Sequence, residues 1–247
     1  MKHIGILAHS AEGATLCYRE TWLESVRRLG AHRHPELTLT GVGMADALDA
    51  WERGDLAALR SFFMRDIKKL TAAGADFFVC PDNTAHIALE SAGEPFPIPC
   101  LHIAEVIADR AQQDGRRKVG ILGTKWTMTG PVYPGAFGRR GIEWAVPDEA
   151  DRKTVDDIIF GELCLGAFTD ESREAYVRII GTLADEGCDA VALVCTEIPL
   201  LVTEDVSPLP MLDSTRLLAR AAVAVAIGDR PMPQWRGGPV AEREAAK

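Results

Sequence analysis

A short pattern occurs twice in this chain and ties its two halves to one plan. The opening HIGILAHS is matched by KVGILGT at residues 118–124, with Gly120 standing where Gly5 stands. Gly5 precedes Cys80 by 75 positions, and Gly120 precedes Cys195 by the same 75. Each cysteine closes an apolar run, FFVC at Phe77–Cys80 and AVALVC at Ala190–Cys195, and each run follows a helix-like segment ending in glycine, Gly74 and Gly187. Buried strands that deliver polar groups at their carboxyl ends are how open α/β sheets build ligand sites. The repeat therefore predicts a duplicated α/β unit with pseudo-twofold symmetry, in which Cys80 and Cys195 face each other across an interlobe active site.

The intervening residues fit that plan. Strand-like runs at His3–Ala8, Leu37–Val42 and Cys100–Ile103 alternate with helical patterns at Thr15–Leu29, Asp55–Ala73, Asn83–Ala92 and Ala104–Asp114. After the restart at Lys118, helices fit Asp148–Leu165, Asp170–Glu186 and Ser214–Ile227. Strands separated by helices long enough to cross over form a mostly parallel sheet covered on both faces. The fold class is thus α/β, with two similar lobes: residues 1–105 plus 213–227, and residues 106–212. Residues 228–247 carry Pro, Gly and charge without an apolar period, and read as a flexible tail or intersubunit arm.

Composition narrows the function. A net charge of −9 over 247 residues argues against nucleic acid or an anionic membrane as partner, since both require a basic face. No apolar stretch is long enough to span a bilayer, and MKHIGILAHS reads as a first strand rather than a signal peptide. The six cysteines show neither CxxC pairs nor zinc-ligand spacing, so no metal is expected and free thiols in a reducing cytoplasm are the natural reading. The glycines are too poorly arranged for a phosphate loop.

Two acid/base groups on opposite sides of one carbon can invert a stereocentre: one removes the Cα proton and the other supplies a proton to the opposite face. A thiol suits this work because neighbours can move its ordinary pKa of about 8.5. Polar residues gather next to both strand ends, with Asp82, Asn83, Thr84 and His86 after Cys80, and Thr196 and Glu197 after Cys195. Ser10 and Thr124, each just past the first strand of its lobe, are placed to hold a substrate carboxylate.

These segments resemble the aspartate/glutamate racemase family, the cofactor-independent two-cysteine amino acid racemases. The likeness runs over about residues 2–227 and is carried by IGIL near Ile4, DNTAH at Asp82–His86, ILGTKWTM at Ile121–Met128, IIFGELCLG at Ile158–Gly166 and LVCTEIPLL at Leu193–Leu201. It implies an isomerase without a cofactor, a small amino acid or dicarboxylic acid as substrate, and a homodimer. It implies Cys195 as one acid/base; Asn83, Thr84, Thr124 and Thr196 as the cradle of the α-carboxylate and amino group; Thr127 as a lining residue; and Lys153 where family members hold a second carboxylate.

Two departures from the family pattern stand out. The first catalytic cysteine is common one or two positions before the Asn-Thr pair, yet Pro81 and Asp82 occupy those places and Cys80 lies one step further back. The glycine-rich turn after the first strand is replaced by Ala8-His9-Ser10-Ala11-Glu12. Either Cys80 or Asp82 is then the acid/base of the first lobe, or Cys195 acts alone. Plainer roles stand beside these: Cys80 as a core residue, Asp82 as a helix N-cap, Lys153 as a solvated lysine. A one-sided site suits decarboxylation or cis–trans isomerisation of a small dicarboxylic acid, and the same scaffold without turnover would be a small-acid binding protein.

Overall fold

The computed structural model describes residues 1–41, 43 and 45–240. The chain divides into two compact units, Met1–Ile103 with the chain from Leu218 onward, and Ala104–Leu217. In the first unit β1 (Ile4–Ala8) is followed by α1 (Ala11–Leu29), β2 (Leu37–Gly41), α2 (Ala45–Glu52), α3 (Leu56–Ala72), β3 (Phe77–Val79), α4 (Ala85–Leu89) and β4 (Cys100–Leu101). All pairings are parallel and the strand order is β2-β1-β3-β4. Helix α5 (Ile103–Gln113) leads to β5 (Lys118–Leu122), α6 (Lys125–Thr129), α7 (Val132–Gly138), β6 (Glu143–Ala145), α8 (Glu149–Gly161), α9 (Asp170–Asp185), β7 (Ala190–Leu193), α10 (Ile198–Leu201) and β8 (Met211–Asp213). This second sheet is also wholly parallel, in the order β6-β5-β7-β8, and α11 (Ser214–Ile227) returns the chain to the first unit. The two units therefore repeat one topology. Among the described residues no helix is long and apolar enough to cross a membrane.

The central strands explain the apolar runs. β3 and β7 are buried throughout and β1 and β5 nearly so, because helices cover both faces of a parallel sheet. Edge strands β2 and β6 are only partly covered. The paired glycines have one physical job. A Cβ on Gly5 would lie 3.1 Å from Leu70 Cδ1, and one on Gly120 would lie 2.8 Å from Leu183 Cδ1, so each glycine lets a helix settle directly on its central strand. The glycines closing those helices, Gly74 (φ +89°) and Gly187 (φ +90°), adopt the left-handed conformation that ends a helix.

Several boundaries differ from the sequence expectation. α1 begins at Ala11, four residues earlier than expected, because Ser10 caps it by accepting from Gly13 N. The helix expected over Asn83–Ala92 is reduced to Ala85–Leu89. The helix expected over Asp148–Leu165 stops at Gly161, and a separate 3₁₀ turn, Leu163–Leu165, precedes left-handed Gly166. Of the expected strand Leu37–Val42, Val42 lies outside the described residues.

The expected flexible tail is corrected through residue 240. Phe96 N donates to Arg236 O, Cys100 N to Trp235 O and Gly238 N to Leu89 O, each at 2.8–2.9 Å. The Trp235 ring packs on His86 and His102. Backbone bonds to Leu89, Phe96 and Cys100, rather than apolar periodicity, fix the segment, which is why its composition read as loose. Residues 241–247 lie outside the described residues. Trp235→Ala should lower the unfolding free energy by about 2 kcal/mol, less than a fully buried tryptophan because the ring is half-buried. Equilibrium urea denaturation measures this, and an unchanged midpoint would show that the segment contributes nothing to the unit.

Candidate active site

In the second unit β5 and β7 pair through Leu122 and Leu193, so Thr124 and Cys195 leave neighbouring strands two residues beyond that last pair. Thr124 caps α6 by accepting from Thr127 N at 3.3 Å, and the two hydroxyls lie 3.0 Å apart. The Cys195 thiol donates to Glu197 Oε2 at 3.1 Å, and the Thr196 hydroxyl donates to the same oxygen at 2.6 Å. Glu197 gives its carboxylate to these neighbours and not to helix capping. Burial and the Glu197 charge push the Cys195 thiol well above its ordinary range, which makes it a thiol at rest and a strong base once ionised. Cys195 joins an apolar cluster that includes Met128 and Tyr176, but it retains 8% exposure where Cys80 has none.

In the first unit Asp82 is gripped on both oxygens. Oδ1 accepts from Ala85 N at 3.1 Å, and Oδ2 is bonded to His9 Nδ1. Its backbone is held too: His86 Nδ1 lies 2.9 Å from Asp82 O, and the Cys80 thiol donates to the same carbonyl at 3.7 Å. Burial works against the charged form of Asp82, but the bonds from His9 and Ala85 outweigh it and hold the carboxyl below its ordinary value. For His9 burial again opposes charge, and the bond to Asp82 raises its pKa above the ordinary value. Cys80 is fully buried, and burial followed by the Asp82 charge pushes its thiol well up.

The register of the sheets decides which first-unit residue corresponds to Cys195. Gly5 pairs with Phe78, and its counterpart Gly120 pairs with Val191. Four positions on from Phe78 is Asp82, and four positions on from Val191 is Cys195. The helix starts agree, because α4 begins three residues after Asp82 and α10 three residues after Cys195. So do the helices on the glycines, with Leu70 matching Leu183 and Gly74 matching Gly187 at the same offset. The equal 75-residue spacing that paired Cys80 with Cys195 is thus two residues out of register. The counterpart of Cys80 is Leu193, a core residue of β7.

A family model described as Asp/Glu/Hydantoin racemase matches residues 6–222. The chain belongs to this family. A solved Yersinia pestis protein assigned to the Asp/Glu racemases is 32% identical, covering 92% of this chain and 100% of that one with a TM-score of 0.81. An aspartate racemase homologue from Pyrococcus horikoshii is 26% identical over the same shares, with a TM-score of 0.76. The broad specificity amino-acid racemase RacX of Bacillus subtilis is 25% identical over 160 residues, 63% of this chain and 67% of RacX. A glutamate racemase from Acidothermus cellulolyticus is 27% identical over 59% of this chain and 54% of its own length, so the matches span only about half to two thirds of these curated relatives.

Within this racemase-family chain the remaining predicted residues are distributed as follows. Ser10 caps α1, and buried Asn83 and half-buried Thr84 follow Asp82 directly. Thr196 is turned toward Glu197. Lys153 stands on α8 with its side chain three-quarters exposed and paired with Asp157. Among the described residues no three His, Cys, Asp or Glu side chains are grouped as metal ligands. Sequence reasoning missed His9, although the departure from the glycine-rich turn marked its position.

The His9–Asp82 pair gives the protein a pH signature. Asp82 has a folded value below its ordinary 3.8, so its contribution is present above about pH 3.8 and is lost as pH falls through the folded value. His9 has a folded value above 6.5, so its contribution is complete below about pH 6.5 and is lost as pH rises through the folded value. The stability difference between wild type and Asp82→Asn should therefore be largest between about pH 3.8 and 6.5. Urea titrations at stepped pH measure it, and a difference that keeps growing above about pH 8 would contradict the pairing.

Proposed function

We propose that this chain is a cofactor-independent amino acid racemase in which Asp82 and Cys195 are the two proton carriers. The observation that carries this reading is the register equivalence of Asp82 and Cys195, which puts a proton-handling group at the same place in each copy of the duplicated unit. The opposed environments of the two groups assign their roles. A carboxyl held low and a thiol held high rest as carboxylate and thiol, so Asp82 starts as base and Cys195 as acid.

The step conserves protons. Asp82 takes the Cα proton, the bonding pair stays on the substrate as a carboxylate-stabilised carbanion, and the Cys195 thiol gives its proton to the opposite face. Asp82 is left protonated and Cys195 is left as thiolate. The enantiomer is turned over from that swapped state, with the thiolate as base and the Asp82 acid as donor. Glu197, beside the sulfur, raises the basicity of the thiolate for that return step. Ser10, Asn83, Thr84, Thr124, Thr127 and Thr196 supply the hydroxyl and amide groups that would hold the amino and carboxylate groups and the developing negative charge. Lys153, already paired with Asp157, is left out of the scheme.

A second reading keeps Cys195 and changes the reaction to decarboxylation or isomerisation of a small dicarboxylic acid. It is favoured by the presence of a single thiol among the two equivalent positions. Incubation with single enantiomers in deuterated water separates the readings. Deuterium at Cα with appearance of the other enantiomer supports the racemase. Retained protium with carbon dioxide release or isomer formation from malonate- or maleate-like acids selects the second reading. Thermal stabilisation by such acids without turnover marks a binding protein. Under the racemase scheme Cys195→Ser and Asp82→Asn should each lower kcat by about a thousandfold. Cys80→Ala should stay within about threefold of wild type. Loss of activity with Cys80→Ala but not with Asp82→Asn would restore a two-thiol scheme.

A further inference from the structure

The racemase scheme uses one partner of the Asp82 carboxylate, the substrate, and leaves the other without a task. That partner is His9, on the turn between β1 and α1. Its side chain is 3% exposed, and it stands edge-on to the rings of Phe62 and Phe63 on α3, with centroids 6.2 and 5.3 Å away. Nδ1 is bonded to Asp82 Oδ2, while Nε2 is buried without a hydrogen-bond partner among the described residues. His9 also lines a cavity of about 290 Å³, together with Ser10, Thr15, Leu39 and Gly41.

The proton on this bond can be placed by elimination. Both the imidazolium and the neutral Nδ1–H tautomer donate from Nδ1 to the carboxylate. The Nε2–H tautomer presents only a lone pair at Nδ1 and would need a protonated Asp82, against what the Ala85 N–H favours. Nδ1 therefore donates. With Ala85 N on the other oxygen, the carboxylate has no free rotation and keeps its remaining lone pairs in a fixed direction.

We infer that His9 is the positioning residue of the first-unit proton carrier, an imidazole that holds Asp82 ionised and aimed at the substrate Cα. The inference deepens the racemase reading and rests on it. His9 keeps its Nδ1 proton throughout; only the Cα proton and the Cys195 proton change places. Removal of the donor leaves a half-buried carboxylate held by the Ala85 N–H alone and more inclined to protonate, so substrate still binds but is deprotonated slowly.

Two full-length variants test the role. His9→Leu fills the ring volume without a donor, and His9→Asn sets its side-chain amide about where Nδ1 stands. With an amino acid that wild type converts, His9→Leu should lower kcat by about 100-fold with KM within about threefold, and His9→Asn should recover about tenfold of that loss. A kcat for His9→Leu within about threefold of wild type, a loss carried by KM, or no recovery in His9→Asn would overturn the inference. A second measurement is independent of turnover, and its first arm uses wild type alone. Nitrogen-15 spectra of the histidine rings should show a downfield Nδ1 proton in wild type that disappears in Asp82→Asn. Its absence in wild type overturns the His9 pairing. Its presence in a protein that exchanges no Cα proton keeps the pairing and removes the racemase.

Discussion

Hydrogen-bond register inside each parallel sheet is the constraint on which the proposed site depends. Strand residues advance about 3.3 Å each, so a slip of two positions keeps a side chain on the same face but moves it about 6–7 Å along the strand. Cys80 and Asp82 differ by that slip. Cys80 holds in its own sheet the place that Leu193 holds in the other, sealed in the core, while Asp82 holds the place equivalent to Cys195, where in each unit the chain has left its strand. The pairings Gly5–Phe78 and Gly120–Val191 hold this register. Leu70 and Leu183 reinforce it by docking in the space where the two glycines lack side chains.

In the proposed scheme, local electrostatics supplies the direction of the chemistry. Cys195 is buried and Asp82 half-buried, and burial alone drives each toward its neutral form. The difference lies in their partners. Asp82 receives two donors, His9 and the Ala85 N–H, and stays ionised; Cys195 faces a carboxylate and stays protonated. A base and an acid at rest form one complete starting state for proton removal from one face and delivery to the other. Two thiols in matched surroundings would need some further asymmetry to choose which one ionises.

Much of this architecture was legible in the sequence because it rests on long or repeated signals. The KVGILGT repeat, the glycine-terminated helices before Phe77 and Ala190, and the apolar strands all have counterparts in the fold. What escaped was set by tertiary pairing and short range geometry. Helices α2, α6, α7 and α10 are too short for an apolar period, and the 230–240 segment is fixed by backbone bonds to Phe96 and Cys100 that no periodicity encodes. The correspondence of Cys80 with Cys195 failed for a particular reason. The second unit is two residues shorter between its first strand and the helix that packs on it, so equal counting along the chain misaligned the strand ends. The polar cluster after Cys80 was legible as a candidate site, but the sequence left Cys80 and Asp82 as alternatives because only the ladder separates their positions.

The two departures from the family pattern are physically a single change. A carboxylate in place of a thiol, half-buried at a strand end, would protonate or destabilise the fold unless a donor met it. A glycine-rich turn has no side chain to offer. The turn Ala8-His9-Ser10 brings an imidazole to the Asp82 carboxylate, and the adjacent Ser10 still caps α1, so the substitution disturbs neither strand nor helix. Conversely, His9 without Asp82 would be a buried histidine with neither ring nitrogen bonded among the described residues, an arrangement that a folded core seldom tolerates. Each residue makes the other admissible. That mutual dependence argues that the first-unit strand end carries a designed carboxylate–imidazole pair and not the remnant of a displaced cysteine.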